Sequence, residues 1–170
     1  MPFNAERTET AEALLRQPER FPGLPQRDRY HRRLLLWRFP AFVPYSSWAL
    51  FVEREACWVR RLEHDRTRGL ALDAADPDLY GAEARIDPAE AAELLAGFTT
   101  LSVPMFLPTQ RFGLDGVRYG VAFGDGWCGT EATWWFDPGE AWRPLAEAYE
   151  RTVERLEAVL PPSTLRRCVE

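Results

Sequence analysis

The chain has 170 residues, a net charge of −5 at neutral pH and 46% hydrophobic residues, a composition typical of one globular domain. The acidic balance argues against a general nucleic-acid binder, and no stretch approaches the roughly 20 apolar residues of a membrane span. Three cysteines, odd in number and widely spread, suggest no disulfide framework, and we expect no signal peptide because the first residues lack an apolar core segment. We therefore expect a cytoplasmic protein with reduced thiols. All 21 basic residues are arginine, a bias that we attribute to a GC-rich coding sequence.

The N-terminal half alternates short apolar runs with polar or proline-rich segments. Its predicted elements are, in chain order, a short amphipathic helix over 5–16, a proline-rich loop over 17–30, a strand over 34–39, a hairpin formed by 47–53 and 56–63, and an exposed polar loop over 64–79.

The C-terminal half begins with an alternating strand over 80–86 and a helix whose start is clearly marked. Asp87 is suited to cap this helix, Pro88 to fill its first position and Glu90 to complete a capping box. We expect the helix to run to about Leu95 and to end at Gly97. The following apolar stretch, 101–107, contains Pro104 and is predicted to be an edge strand or an extended crossing.

Three antiparallel strands are predicted next, over 111–114, 117–123 and 130–136. The first two flank Asp115-Gly116, a strong hairpin signal because a primed turn needs positive φ at both central residues. In the third strand we take Thr130, Ala132, Trp134 and Phe136 as the inward set, which places Trp135 on the other face with Glu131. A long amphipathic helix over 142–160 then closes the chain, ended by Pro161-Pro162.

These elements predict an α+β fold, with a single antiparallel sheet and about three helices, at 5–16, 87–96 and 142–160, mainly on one face. The 170 residues are expected to form a single domain in which an N-terminal half, 1–75, and a C-terminal half, 80–160, share one core.

Several motifs of residues 80–160 resemble a block found in uncharacterised bacterial α+β proteins. The pattern includes Leu114-Asp115-Gly116-x-x-Tyr119, then Trp134-Trp135-x-x-Pro138, and finally Trp142-x-Pro144-Leu145 at the start of the last helix. The resemblance covers roughly half the chain. It implies a fold and no catalytic residue, since no activity is established for such proteins.

The residue types that carry catalysis or bind metals form no convincing cluster in the sequence. Cys57 and His64 are the only nearby Cys/His pair, and seven residues apart on one strand they would face opposite sides of the sheet. The carboxylates near 53–65 suit wet strand ends and turns better than acid–base chemistry. Gly124-Asp125-Gly126 precedes a strand instead of a helix, so it lacks the dipole of a phosphate-binding loop. We therefore expect no catalytic residue, no metal and no cofactor, and we lean away from an enzyme.

The candidate binding residues are Trp127, Glu131 and Trp135, because an aromatic beside a carboxylate on a solvated sheet face is typical of a protein-binding patch. The leading hypothesis is a non-enzymatic protein-interaction module of the immunity or antitoxin kind, with a protein partner and an oligomeric state that the sequence does not define. One alternative is a small-ligand binder or enzyme with a pocket lined by Trp and carboxylate side chains. A further alternative is RNA contact through the arginine-rich segment 27–38.

Overall fold

The structure is a computed structural model that describes residues 5–65, 79–106 and 116–165. Within these ranges the chain forms one six-stranded antiparallel sheet and three α-helices, which is the predicted α+β fold. The strands are β1 (Arg32–Pro40), β2 (Tyr45–Val52), β3 (Cys57–His64), β4 (Leu79–Ile86), β5 (Val117–Gly124) and β6 (Gly129–Trp135), and the helices are α1 (Ala5–Leu15), α2 (Pro88–Thr99) and α3 (Arg143–Val159).

The strand order is β4-β3-β2-β1-β5-β6, so β1 joins the hairpins of the two halves of the chain. It pairs with β2 on one side, Leu35 opposite Ala49, and with β5 on the other, Leu35 opposite Ala122. Because β1 and β2 are buried on both faces of the sheet, their sequences are nearly continuous apolar runs instead of alternating ones.

Helices α2 and α3 cover one face of the sheet, so most of the helical structure lies on one face, as predicted. Every second side chain of β1 and β2 points to this face. These side chains, among them Leu36 and Trp48, form one cluster with Leu94 of α2 and with Tyr149 and Leu156 of α3. Trp134 of β6 lies in the same cluster, 3% exposed, stacked on Tyr119 with ring centroids 5.6 Å apart. Asp87 caps α2 as predicted, since its side chain accepts a hydrogen bond from the Ala89 backbone N–H at 2.8 Å.

Helix α1 and the segment that follows it pack on the opposite face. Leu15 lies in a second apolar cluster with Leu35, Trp37 and Phe51. The Trp37 ring lies directly over Gly120, where a Cβ atom would come within 2.0 Å of it, so only glycine fits opposite this tryptophan. The Arg16 guanidinium carbon lies 4.9 Å from the centre of the Trp37 ring and closes the cluster from above.

A buried ion-pair cluster holds the segment after α1 on the sheet. Arg60 of β3 is fully buried, donates to the backbone carbonyls of Pro18 and Pro25 at 2.6 Å each, and pairs with Glu83 of β4 at 2.5 Å. Arg27 reaches the same Glu83 carboxylate at 2.7 Å and Glu53 at 2.7 Å. Buried charges are tolerated only when they are paired and hydrogen-bonded, so these contacts fix the path of residues 18–27.

A second cluster, on the helix-covered face, fixes the end of α3. Arg61 of β3 donates to Glu157 at 2.5 Å and to the Pro161 carbonyl at 2.9 Å. Glu157 also accepts from the Trp48 indole N–H at 2.7 Å, and the Ser163 hydroxyl donates to Glu63 at 2.9 Å. The chain beyond α3 is therefore tied back to the sheet.

The predicted end of one helix is wrong, and one of the two structures predicted for the stretch after it is excluded. Helix α2 does not end at Gly97 but continues to Thr99, because Phe98 packs against Phe123 with ring centroids 6.3 Å apart and adds a further turn. Residues 101–106 form no strand, so of the two predicted alternatives the edge strand is excluded there. The predicted strand 111–114, Asp115 and most of the loop 64–79, namely 66–78, lie outside the described residues.

The inward set predicted for β6 is only half right. Ala132 and Trp134 do pack into the helix-covered cluster, but Thr130 is exposed and Phe136 is 69% exposed. β6 is the last strand in the order, and Phe136 has a φ of +55°, which ends the strand and breaks its alternation.

Candidate functional site

The turn between β5 and β6 is closed by hydrogen bonds and presents Trp127 to solvent. The Asp125 carboxylate accepts hydrogen bonds from the backbone N–H groups of Cys128 and Trp127, both at 3.0 Å, and these bonds hold the pKa of Asp125 below its usual value. Gly126 takes a φ of +87°, which an L side chain rarely adopts. The indole of Trp127 is 88% exposed, an unusual position for the largest apolar side chain.

Tyr30 stands beside Trp127, although the two come from distant parts of the chain. It lies in a short 3-10 turn, Arg29–His31, capped by the Asp28 side chain, which accepts from the Tyr30 N–H at 2.9 Å. The two ring centroids are 6.2 Å apart, and Tyr30 is 56% exposed. A Cβ atom on Gly126 would come within 2.4 Å of the tyrosine ring, so this glycine serves both the turn and the aromatic contact.

A groove open to solvent runs from Trp127 toward the end of α1, on the face opposite α2 and α3. It consists of two adjoining hollows of about 290 and 490 Å³, which share Arg29, Arg32, Ala122 and Glu131. Leu35 and Ala122 contribute apolar surface, and Arg16 and Arg20 line the far end. We call this surface the β5–β6 groove.

Charge in the β5–β6 groove is strongly biased toward arginine. Arg32 pairs with the buried Glu19 at 2.8 Å, and Arg16 pairs with Glu131 at 2.5 Å. Arg20 and Arg29 form no ion pair with any described residue. The pKa of Arg32 is lowered, chiefly by burial; Glu19 opposes this, while the like charges of Arg29 and Arg16 add to it.

The structure brings two of the three predicted site residues together. Trp127 and Glu131 both line the groove. Trp135 shares the face of Glu131 but lies four residues further along β6, about 13 Å away by strand geometry. Trp135 is half-buried and lies opposite Arg118 in the β5–β6 register. The Arg118 guanidinium reaches Glu12 of α1, so the N-terminal half partly covers this end of the strand. Trp135 therefore does not belong to the groove.

Tyr30 and Arg29 border this groove, although neither is among the predicted binding residues. Both fall within the segment 27–38, considered as a whole for RNA contact. The structure divides that segment: Arg27 is committed to the buried ion-pair cluster, and Trp37 is only 2% exposed, so it cannot stack on a base. Arg29 and Tyr30 instead project from the surface 3-10 turn, and Asp28, which caps that turn, is the sequence feature that marks it.

The other candidate clusters stay apart. Cys57 packs into the helix-covered core, while His64 faces the opposite side with its ring 6.1 Å from Tyr45. Burial is the main cause of the raised pKa of the Cys57 thiol, which disfavours the thiolate. Among the residues that the structure describes, no group of three or more His, Cys, Asp or Glu side chains could hold a metal ion.

Comparison with protein families, curated proteins and solved structures finds no match for this chain. The resemblance of residues 80–160 to uncharacterised bacterial proteins thus stays a prediction. None of the helices in the described ranges is long and apolar enough to cross a membrane.

Proposed function

We propose that this chain is a protein-binding module whose contact surface is centred on Trp127 and Tyr30. The observation that carries the proposal is the exposure of two adjacent aromatic rings, 88% and 56%, next to the arginine-lined groove. Trp, Tyr and Arg are the side chains that contribute most binding energy at protein interfaces. The groove is open to solvent, and Glu131, the carboxylate predicted for the site, is 46% exposed, which supports a macromolecular partner over an enclosed ligand.

The proposal keeps the predicted class and moves its centre. The interaction surface is built around Trp127 and Tyr30, with Glu131 at its side, and it excludes Trp135. A cytoplasmic inhibitor of the immunity or antitoxin kind is the finer form of the proposal, and it is supported by analogy with other small acidic α+β domains.

The test is quantitative capture with matched variants. The tagged protein, Trp127→Ala and Phe42→Ala are used to capture partners from the source lysate, and the retained partner is then purified for affinity measurement. Phe42 is a matched control because it is 75% exposed and lies in the β1–β2 turn, at the opposite end of the sheet from Trp127. We expect Trp127→Ala to weaken binding at least 30-fold, on the order of the 2 kcal/mol of an interface hot spot.

Equal binding by the two variants would contradict the proposal.

A second candidate, a small-ligand binder, is favoured by one observation: the hollow beside Trp127 and Glu131, at about 290 Å³, is near the lower limit of small-molecule sites. A metabolite screen by thermal shift tests it, with Trp127→Ala expected to abolish any shift.

A further inference from the structure

The β5–β6 groove reverses the charge of the rest of the molecule. The protein carries a net charge of −5, yet the larger hollow is lined by four arginines and two glutamates. Both glutamates are already engaged, Glu19 by Arg32 and Glu131 by Arg16. The uncompensated positive charge therefore resides on Arg20 and Arg29, which are exposed and make no ion pair with any described residue.

Free guanidinium groups beside an apolar anchor define the chemistry of a complementary ligand. A guanidinium binds a carboxylate through two parallel hydrogen bonds, a geometry that lysine does not offer. Trp127 adds apolar area at one end of the groove, where a neighbouring aliphatic side chain of the ligand would be covered.

We propose that the β5–β6 groove binds an acidic segment of a partner protein, with Arg20 and Arg29 pairing with its carboxylates and Trp127 covering an adjacent apolar side chain. The assignment rests on the proposed function and names the partner's chemistry. A short acidic segment places its charge only where the arginines are. A nucleic acid carries a phosphate at every nucleotide, and beyond the groove these would meet an acidic protein.

The probe for this assignment is a short fluorescein-labelled peptide of alternating Asp and Glu with one central Leu. Its control is the same peptide with Asn and Gln in place of every acidic residue. Binding is followed by fluorescence anisotropy at about 50 mM and about 300 mM salt, because exposed charge pairs are screened at the higher concentration. The full-length wild-type chain is compared with Arg20→Ala, Arg29→Ala and Trp127→Ala.

Arg151→Ala is the matched control variant. It removes the same charge from an exposed position on α3, whose helix covers the other face of the sheet. We expect the acidic peptide to bind the wild type and the amide peptide not to, with roughly tenfold weaker binding for Arg20→Ala, Arg29→Ala and Trp127→Ala. Arg151→Ala should change the affinity less than about twofold.

Three results would overturn the assignment: no binding of the acidic peptide, equal binding of the amide peptide, or an equal loss in Arg151→Ala. Tighter binding of a short oligouridylate with the same dependence on Arg29 would also overturn it, since the site would then be one for phosphate. If the peptide fails while a partner is still captured in a Trp127-dependent manner, only the acidic assignment falls. Thermal unfolding of each variant confirms that it is folded.

Discussion

Glu83 is the centre of the buried ion-pair cluster, and Glu83→Gln should be strongly destabilising. Its carboxylate, 8% exposed, accepts four hydrogen bonds: from Arg27 at 2.8 and 2.7 Å and from Arg60 at 2.9 and 2.5 Å. The glutamine amide keeps the shape but loses the charge and turns its NH2 group toward guanidinium donors. Arg60, fully buried, then loses its one anionic partner among the described residues, although it keeps the carbonyls of Pro18 and Pro25.

Breaking a buried pair by removing one partner typically costs 3–5 kcal/mol, because the remaining charge stays buried and uncompensated. Arg27 keeps its contact with Glu53, so we expect a loss of about 3 kcal/mol, at the lower end of that range. Such a loss is a large fraction of the roughly 5–15 kcal/mol that stabilises a typical domain.

Urea unfolding followed by tryptophan fluorescence measures this loss as a shift in the midpoint at constant slope. Glu147→Gln is the control, because Glu147 is 59% exposed and forms a long surface ion pair with Arg151, at 3.9 Å. Its replacement should cost less than about 0.5 kcal/mol. A loss below about 1 kcal/mol for Glu83→Gln would refute the reasoning, because it would show that the cluster behaves like a surface pair. The double variant Arg60→Met/Glu83→Leu should be less destabilised than Glu83→Gln, since it removes the buried charge along with its partner.

Acid should destabilise the wild type more than Glu83→Gln. Burial alone would raise the pKa of Glu83, but hydrogen bonds from Arg27 and Arg60 outweigh burial and lower the pKa. The stabilisation by Glu83 is therefore present above the unfolded pKa of about 4.3 and is lost as the pH falls through the folded pKa. The same loss of stability in both proteins from pH 7 downward would contradict this. Trp134, 3% exposed, should cost about 3–5 kcal/mol of unfolding free energy when replaced by Ala. Trp127→Ala should cost less than about 0.5 kcal/mol in the same urea titrations, because Trp127 is 88% exposed, and equal losses would exclude that exposed position. Ser47→Ala should leave stability unchanged or raise it by up to about 1 kcal/mol in calorimetry, since the buried Ser47 hydroxyl has no hydrogen-bond partner among the described residues, and a clear loss would reveal a hidden partner.

Local patterns in the sequence were enough to predict most strands and helices. The β2–β3 hairpin, the Asp87 cap and the long final helix follow from apolar period, turn residues and proline positions, all properties of neighbouring residues. The failures occurred where a distant contact outweighed a local preference. At the end of α2, packing of Phe98 on Phe123 continues the helix through Gly97, although glycine alone suggests an end there.

The candidate site was only partly accessible to the same reasoning. The proximity of Trp127 and Glu131 was predictable because both lie in or near one hairpin, so it is a local property of the chain. Tyr30 lies just before β1, far from Trp127 in the sequence, and only the pairing of β1 with β5 brings its turn to Trp127. Trp135 lies on the predicted face but apart from these residues, because alternation defines the face of a strand and says nothing of position along it.

Arginine shows most clearly why charge alone could not locate the surface. Arg27 and Arg29 are neighbours in one basic stretch, yet Arg27 is buried against Glu83 and Arg29 lies in the open groove. The difference depends on whether a carboxylate of another strand lies within reach, which sequence spacing does not reveal. The two arginines are also linked, since the ion pairs of Arg27 hold the segment from which Arg29 and Tyr30 project. The buried charges thus fix the backbone that presents the free one, which is how an acidic chain can maintain a positive groove.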